Sequence, residues 1–206
     1  MFRAAFEDIN DYIKERVKTL TGADLYALKK DFYETCYDYM GHTKDLTGIT
    51  ELLVNMYLTS FAETMCLTYK IERNYQVEGY NGHENELDVA FLNAHNVIMY
   101  GFSIKRKRGS AGWKQHELAS DICCGYREQY GKNNIVQDLY RLDNIKRGSN
   151  CSFPTITFVF EDINSNFYQK MLDIQSNHEF EHGYIVLKGN DHPLWGDMIK
   201  KLAINT

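Results

Sequence analysis

An aspartate and a lysine stand on two short stretches of the chain whose spacing suits a shared site. The first stretch is Glu86-Leu87-Asp88-Val89-Ala90-Phe91. A turn at Asn93-Ala94-His95-Asn96 follows, and the second stretch runs from Val97 through Gly101, Phe102, Ser103 and Ile104 to Lys105. Alternate residues of a strand share a face. Leu87, Val89 and Phe91 therefore form one side of the first strand, with Glu86, Asp88 and Ala90 opposite. On the second, Ile98, Tyr100, Phe102 and Ile104 are the apolar side, and Gly101, Ser103 and Lys105 the other. A hairpin through the turn brings Asp88 and Lys105 to the same, less apolar face. A carboxylate there holds a hard divalent cation such as Mg²⁺. A neighbouring ammonium orients or helps deprotonate a water and offsets phosphate charge. That chemistry is phosphodiester hydrolysis.

Lys105, Arg106, Lys107, Arg108 and Lys114 crowd together just after Asp88, against a formal net charge of -5 for the whole chain. Overall acidity speaks against wholesale phosphate binding. A local basic run at the end of a site-bearing strand nevertheless meets the backbone of a bound duplex, although a solvated loop has the same composition.

The elements that must position these residues are legible from periodicity. Phe2, Phe6, Ile9, Ile13, Val17 and Leu20 recur at helical spacing and predict a helix over 2–20 ending near Gly22. Leu25, Leu28, Phe32, Cys36 and Met40 predict a second, and Ile49, Leu53, Met56 and Phe61 a third over about 47–65. The period then changes to two through LTYKIERNYQVE and the two stretches above, which marks a sheet. Residues 113–129 return to helical spacing, and 154–161 read as a strand. A helix over 164–175, a strand over 184–188 and a helix over about 194–203 complete the pattern. DLYRLDNIKRG (138–148) is charged and punctuated enough for a substrate loop, and equally suits a structural role. The expectation is an α/β protein: a central mixed sheet flanked by helices, with an N-terminal helical extension over 1–46 and the α/β domain over 47–206.

The 206 residues are 44% hydrophobic and 25% charged with two prolines, a globular composition without low-complexity linkers. No stretch reaches the roughly 18 apolar residues of a membrane span, and the charged start does not suit a signal peptide, so the expected location is cytoplasmic. Five cysteines without a CxxC pair argue against a disulfide framework or a zinc ribbon.

NELDVAF and GFSIKRK resemble the PD-(D/E)xK nuclease superfamily, the restriction-endonuclease-like fold, especially archaeal Holliday-junction resolvases and the nuclease domains of CRISPR-associated ancillary effectors. The resemblance covers about residues 47–130 and implies a helix, strand, strand, helix core. Carried over by position, it makes Asp88 the metal-binding aspartate, Lys105 the catalytic lysine and Glu51 the helix glutamate, with the Ile104 carbonyl facing the metal. It departs from the family at Ser103, which occupies the acidic slot of (D/E)xK; a hydroxyl is a weak, neutral ligand. Either metal affinity is lost or a second carboxylate comes from elsewhere. Glu117, 12 positions after Lys105 (117 minus 105), is the preferred candidate, as in restriction enzymes of the superfamily that carry serine in this slot. Gln115 resembles the glutamine found after the lysine in many members.

The resemblance implies a Mg²⁺- or Mn²⁺-dependent endonuclease acting on nucleic acid, DNA ahead of RNA, working as a homodimer. Arg106, Lys107, Arg108, Lys114 and Gln115 would be its nucleic-acid contacts. The alternative is a degenerate nuclease fold that binds nucleic acid or protein without cutting; an interaction protein built on the N-terminal helices is a third reading. Glu51 and Glu117 equally suit solvated residues in the first turn of a helix, where the dipole favours them. His178-Glu179-Phe180-Glu181-His182 matches HExxH, but Gly183 and the strand-like Tyr184-Ile185-Val186-Leu187 follow at once. The helix that zinc proteolysis needs is not supported.

Overall fold

The computed structural model describes residues 2–41, 48–105, 120–130, 134–149, 152–161 and 165–202. Three helices come first: α1 (Phe2–Arg16), α2 (Gly22–Met40) and α3 (Gly48–Thr64). They lead into a meander of β1 (Lys70–Glu78), β2 (Glu84–Leu92) and β3 (Ile98–Lys105). The chain continues through α4 (Asp121–Tyr130), α5 (Asn134–Gly148), β4 (Thr155–Val159), α6 (Ser165–Gln175), β5 (His182–Val186) and α7 (Leu194–Lys201). The five strands lie in sequence order. β1, β2 and β3 pair antiparallel, and β3, β4 and β5 parallel. The fold is thus α/β, a mixed sheet flanked by helices and preceded by N-terminal helices.

Local chemistry explains the boundaries. Thr21 and Asp24 form a reciprocal capping box at the start of α2, which Gly41 ends in the left-handed conformation at φ 69°. Between β2 and β3, the Asn93 side chain accepts the amides of His95 and Val97, and Asn96 takes φ 58°, closing the hairpin. Because β3 and β4 are parallel, a crossover must join them, and it carries α4 and α5 over one face of the sheet.

Each face buries its own apolar cluster. Ile13, Val17, Leu25, Leu53 and Phe61 pack with Val89, Phe91, Phe102, Ile104 and Phe158 on the side of α1, α2, α3 and α7. On the other side Cys123, Leu139, Leu142, Ile145, Met171 and Ile174 pack with Leu87, Ala90 and Ile98. Residues of α1 and α2 share the cluster of the sheet itself, so the N-terminal helices are built into the core. No described helix is long and apolar enough to cross a membrane. Cys36, Cys66, Cys123 and Cys124 are free thiols.

Three points complete or correct the expectations drawn from the sequence. Residues 138–148 are helix: Leu139, Leu142 and Ile145 face the sheet at three-residue spacing. Of the helix expected over 113–129, residues 113–119 lie outside the described residues, and α4 begins at Asp121. Leu87 was expected beside Val89 and Phe91 but packs with Ala90 against the opposite helices. Strict alternation fails at Asp88 because the ladder to β3 extends no further than Val89↔Phe102, and Asn74 on the other neighbour takes φ 50°. The irregularity lets the Asp88 side chain enter the gap between strands.

The far end of α5 is pinned to the β1–β2 turn. The Asn144 carbonyl accepts the Tyr80 amide at 2.9 Å, and its side-chain oxygen accepts the Asn81 amide at 3.0 Å. Gly148 lies against the same turn: a Cβ there would sit 2.4 Å from the Glu78 carbonyl oxygen and 2.6 Å from the Gly79 carbonyl carbon. Those are backbone atoms that cannot rotate aside. Gly148→Ala should therefore destabilise the protein by about 1–3 kcal/mol, the usual range for overpacking, as read by urea unfolding. An unchanged midpoint would mean that α5 is not held at this end.

Candidate active site

The site lies where β2 and β3 part. Phe160 donates its amide to the Lys105 carbonyl at 3.0 Å, and Gly101 donates its own to Pro154. Odd-numbered residues of β3 thus turn their backbone groups to β4, and Ile104 turns its N–H and carbonyl to β2. No β2 backbone meets the Ile104 amide; the Asp88 carboxylate accepts it instead through Oδ2. Asp88 is thereby fixed against the Ile104 amide, between the residues that flank it, Ser103 and Lys105, through the gap between the strands and not by the simple alternation read from sequence. The face they share is not open to solvent, however: Ser103 is 0% exposed.

The cover comes from α5. Arg141 donates through Nη2 to Ser103 Oγ at 2.8 Å and through Nη1 to the Glu86 carbonyl at 2.7 Å. Its Nη1 also lies 3.6 Å from Asp88 Oδ1. One turn earlier, Asp138 Oδ1 receives Lys105 Nζ and Arg141 Nη2, each at 2.9 Å. Asp138 Oδ2 accepts the Thr157 hydroxyl at 3.2 Å. Burial alone would raise the Asp138 pKa, but the adjoining Lys105 and Arg141 charges and their hydrogen bonds outweigh it. The carboxyl is held well below the usual carboxylate range. Two carboxylates, Asp88 and Asp138, and two cations, Lys105 and Arg141, balance where α5 covers β2 and β3.

The other side of Asp88 is different. With Glu51 and Asn55 of α3 it lines a cavity of about 550 Å³ that Arg73 and Asn74 also border. Burial raises the Glu51 pKa, and the charges of Asp88 and Glu86 raise it further, against a smaller opposing effect of Lys105. Like charge, only partly offset by Lys105 and by Arg73 on its wall, thus faces this cavity. Asn55 Oδ1 is buried there without a hydrogen-bond partner among the described residues.

Two carboxylates, an idle amide oxygen and the Ile104 carbonyl on the adjoining strand edge suit a small hard cation that keeps part of its water shell. No group of three or more His, Cys, Asp or Glu among the described residues is arranged around a common point, so neutral oxygens would complete such a set.

Of the residues singled out from sequence, Glu51, Asp88, Ser103, Ile104 and Lys105 come together. Arg106, Lys107, Arg108, Lys114, Gln115 and Glu117 lie outside the described residues. Asp138 and Arg141 were missed as site residues. Their local signal was an acidic and a basic residue at i and i+3, which share a helix face.

His182, the last residue of the HExxH string, is not on a helix: residues 178–181 form a turn, and His182 opens β5, buried against β4. Its ring contacts the site indirectly. Thr157 spends its only proton on Asp138, so towards His182 Nε2, 3.3 Å away, it can only accept. Nε2 therefore carries the ring proton, and Nδ1 accepts from Thr155 Oγ1 at 2.8 Å. A second proton would have to displace that bond inside the core. Burial chiefly, with the Lys146 charge, pushes the His182 pKa down to about 3.

The unfolded chain takes up a proton below the ordinary value of 6.5 that the folded chain refuses until about 3. The contribution of His182 is thus fully present above pH 6.5 and is lost as pH falls through that window. Unfolding free energies should drop between about pH 6 and pH 4 by up to about 1.4 kcal/mol per pH unit from this group, and His182→Gln should flatten that slope. An identical slope in the variant would show that His182 titrates normally.

No protein-family model matches the chain, and no curated protein matches it. In structure it is similar to protein VC1899 from Vibrio cholerae, with a TM-score of 0.43 and 13% identity over 96% of this chain and 57% of that one. The chain thus spans little more than half the length of the Vibrio protein.

Proposed function

We propose that this protein is a divalent-metal-dependent endonuclease of the PD-(D/E)xK type, hydrolysing phosphodiester bonds of nucleic acid, DNA ahead of RNA. The observation that carries the reading is the convergence of Asp88, Ile104 and Lys105 at the point where two antiparallel strands separate beside an acidic cavity. Asp88 and Glu51 would hold Mg²⁺ or Mn²⁺, helped by the Asn55 side-chain oxygen and the Ile104 carbonyl. Bound there, the cation would supply an activated water and charge neutralisation at the phosphate.

The chain's own residues do the rest. The Ile104 amide holds Asp88 through Oδ2, while Oδ1 has the Arg141 Nη1 at 3.6 Å on the α5 side and lies on a carboxylate that borders the cavity on the α3 side. Lys105 is 30% exposed on its side chain and gives one N–H to Asp138. Its two remaining donors can meet a phosphate oxygen or the attacking water. Arg106, Lys107, Arg108 and Lys114, which follow β3 in sequence, would track the phosphate backbone with Gln115 beside them, and Glu117 remains a further candidate carboxylate. Cutting both strands of a duplex calls for two such sites, hence a homodimer.

One observation favours the noncatalytic alternative: the neutral Ser103 in the acidic slot is already occupied by Arg141. Incubating the protein with supercoiled plasmid, linear duplex, single-stranded DNA and RNA in Mg²⁺, Mn²⁺ or EDTA, beside Asp88→Ala, decides between them. Metal-dependent cutting lost in the variant supports the nuclease. Folded protein that cuts none of the four transfers the assignment to a nucleic-acid- or protein-binding module.

A further inference from the structure

We infer that Asp138 is a positioning residue of this site: delivered from α5, it keeps the Lys105 ammonium on the α5 side of Asp88 and out of the cavity that Glu51 and Asp88 line, so that a divalent cation can enter there. The inference rests on the metal-dependent reading above.

Asp138 has no oxygen to spare for a metal. Oδ1 receives Lys105 and Arg141, and Oδ2 receives Thr157, which His182 and Thr155 tie to β5 and β4. With a side chain 6% exposed, it is rigidly placed. Lys105, 30% exposed on its side chain, is the partner whose spare donors can reach beyond the cluster. Arg141 has spent Nη1 and Nη2 on Glu86, Ser103 and Asp138, and its remaining Nε donor is buried without a partner among the described residues.

Without the Asp138 charge, Lys105 would seek the next carboxylates within reach. Its charge already acts on Glu51, and Ser103, two residues back on the same strand face, lies beside Asp88. An ammonium is a compact point charge on a flexible stem and moves readily. Settled between Glu51 and Asp88, it would neutralise the charges a cation needs. A purely structural Asp138 would instead anchor α5 and leave metal affinity indifferent to Lys105.

The test is Mn²⁺ binding in the absence of substrate, read by electron paramagnetic resonance. Asp138→Asn should weaken binding about tenfold, within the range for residues that orient a metal site from outside it. Adding Lys105→Met to that variant should restore most of the affinity, because the competing ammonium is gone. Should Asp138→Asn fail to fold, Thr157→Val frees one Asp138 oxygen without removing the charge; a smaller loss is expected, again reversed by Lys105→Met.

Wild-type affinity in Asp138→Asn, or no recovery on removing Lys105, overturns the inference while leaving the nuclease reading intact. Wild-type protein that binds no Mn²⁺ at millimolar concentration overturns the reading itself, and the inference with it.

Discussion

Asp88→Ala should lower single-turnover cleavage by at least about 10³-fold, equivalent to about 4 kcal/mol of transition-state stabilisation, while binding of uncleaved duplex in EDTA stays within a few-fold of wild type. The asymmetry follows from what the side chain touches. Asp88 is the carboxylate shared by the Ile104 amide, the Arg141 guanidinium and the cavity that Glu51 also lines. Lys105 and Arg141 keep their bonds to Asp138 without it. The cost to folding is the Ile104 hydrogen bond, about 1–3 kcal/mol, together with the looser 3.6 Å approach of Arg141, which keeps its other partners. Domains carry about 5–15 kcal/mol of stability, so the variant remains folded under assay conditions. Lost turnover with retained fold and retained DNA binding isolates the chemical step. Undiminished cleavage would remove Asp88 from the mechanism, and loss of DNA binding in step with turnover would make it a binding residue only.

The mixed α/β class and the hairpin that carries Asp88 and Lys105 were legible because both depend on short-range periodicity. Alternating apolar residues fix the face, and a turn of Asn93 to Asn96 limits the register. Leu87 shows the limit of that argument. Its face changed because the partner strand diverges, and divergence is set by the Asp88 side chain replacing a backbone acceptor, which a local window does not reveal. The other half of the site was illegible for a related reason. Arg141 meets Ser103 across 38 positions, and Thr157 meets Asp138 across 19. A charged stretch such as DLYRLDNIKRG looks solvated until the partner surface is known to be polar. The buried serine is that surface: its small hydroxyl leaves room for a guanidinium where a larger carboxylate would compete. The helical period of Leu139, Leu142 and Ile145 was present in the sequence and, read together with Asp138 and Arg141 at i and i+3, places both charges beside the face that packs on the sheet.

The same geometry gives the largest effect on stability. Arg141→Ala should destabilise the protein by about 3–5 kcal/mol, because truncating one member of a buried ion cluster leaves the others desolvated and underpaired. Asp138, 6% exposed, would keep only Lys105 as a cationic partner, and Ser103 Oγ and the Glu86 carbonyl would both lose a donor. At about 2–4 °C per kcal/mol for a chain of this size, Tm should fall by roughly 10 °C. Glu63→Gln is the contrast. Its partner Lys14 lies 3.0 Å away, nearly as close as the 2.9 Å pairs of the cluster, but the two side chains are 58% and 54% exposed. Water screens that pair, and its loss should cost less than about 1 kcal/mol. Arg141→Lys separates charge from shape: it retains a cation beside Asp138 but cannot hold Ser103, Glu86 and Asp138 through one planar fork, so it should recover only part of the loss. If Arg141→Ala and Glu63→Gln shift the transition equally, the α5 cluster is open to solvent. Asp138 would then lack the fixed position from which it holds Lys105.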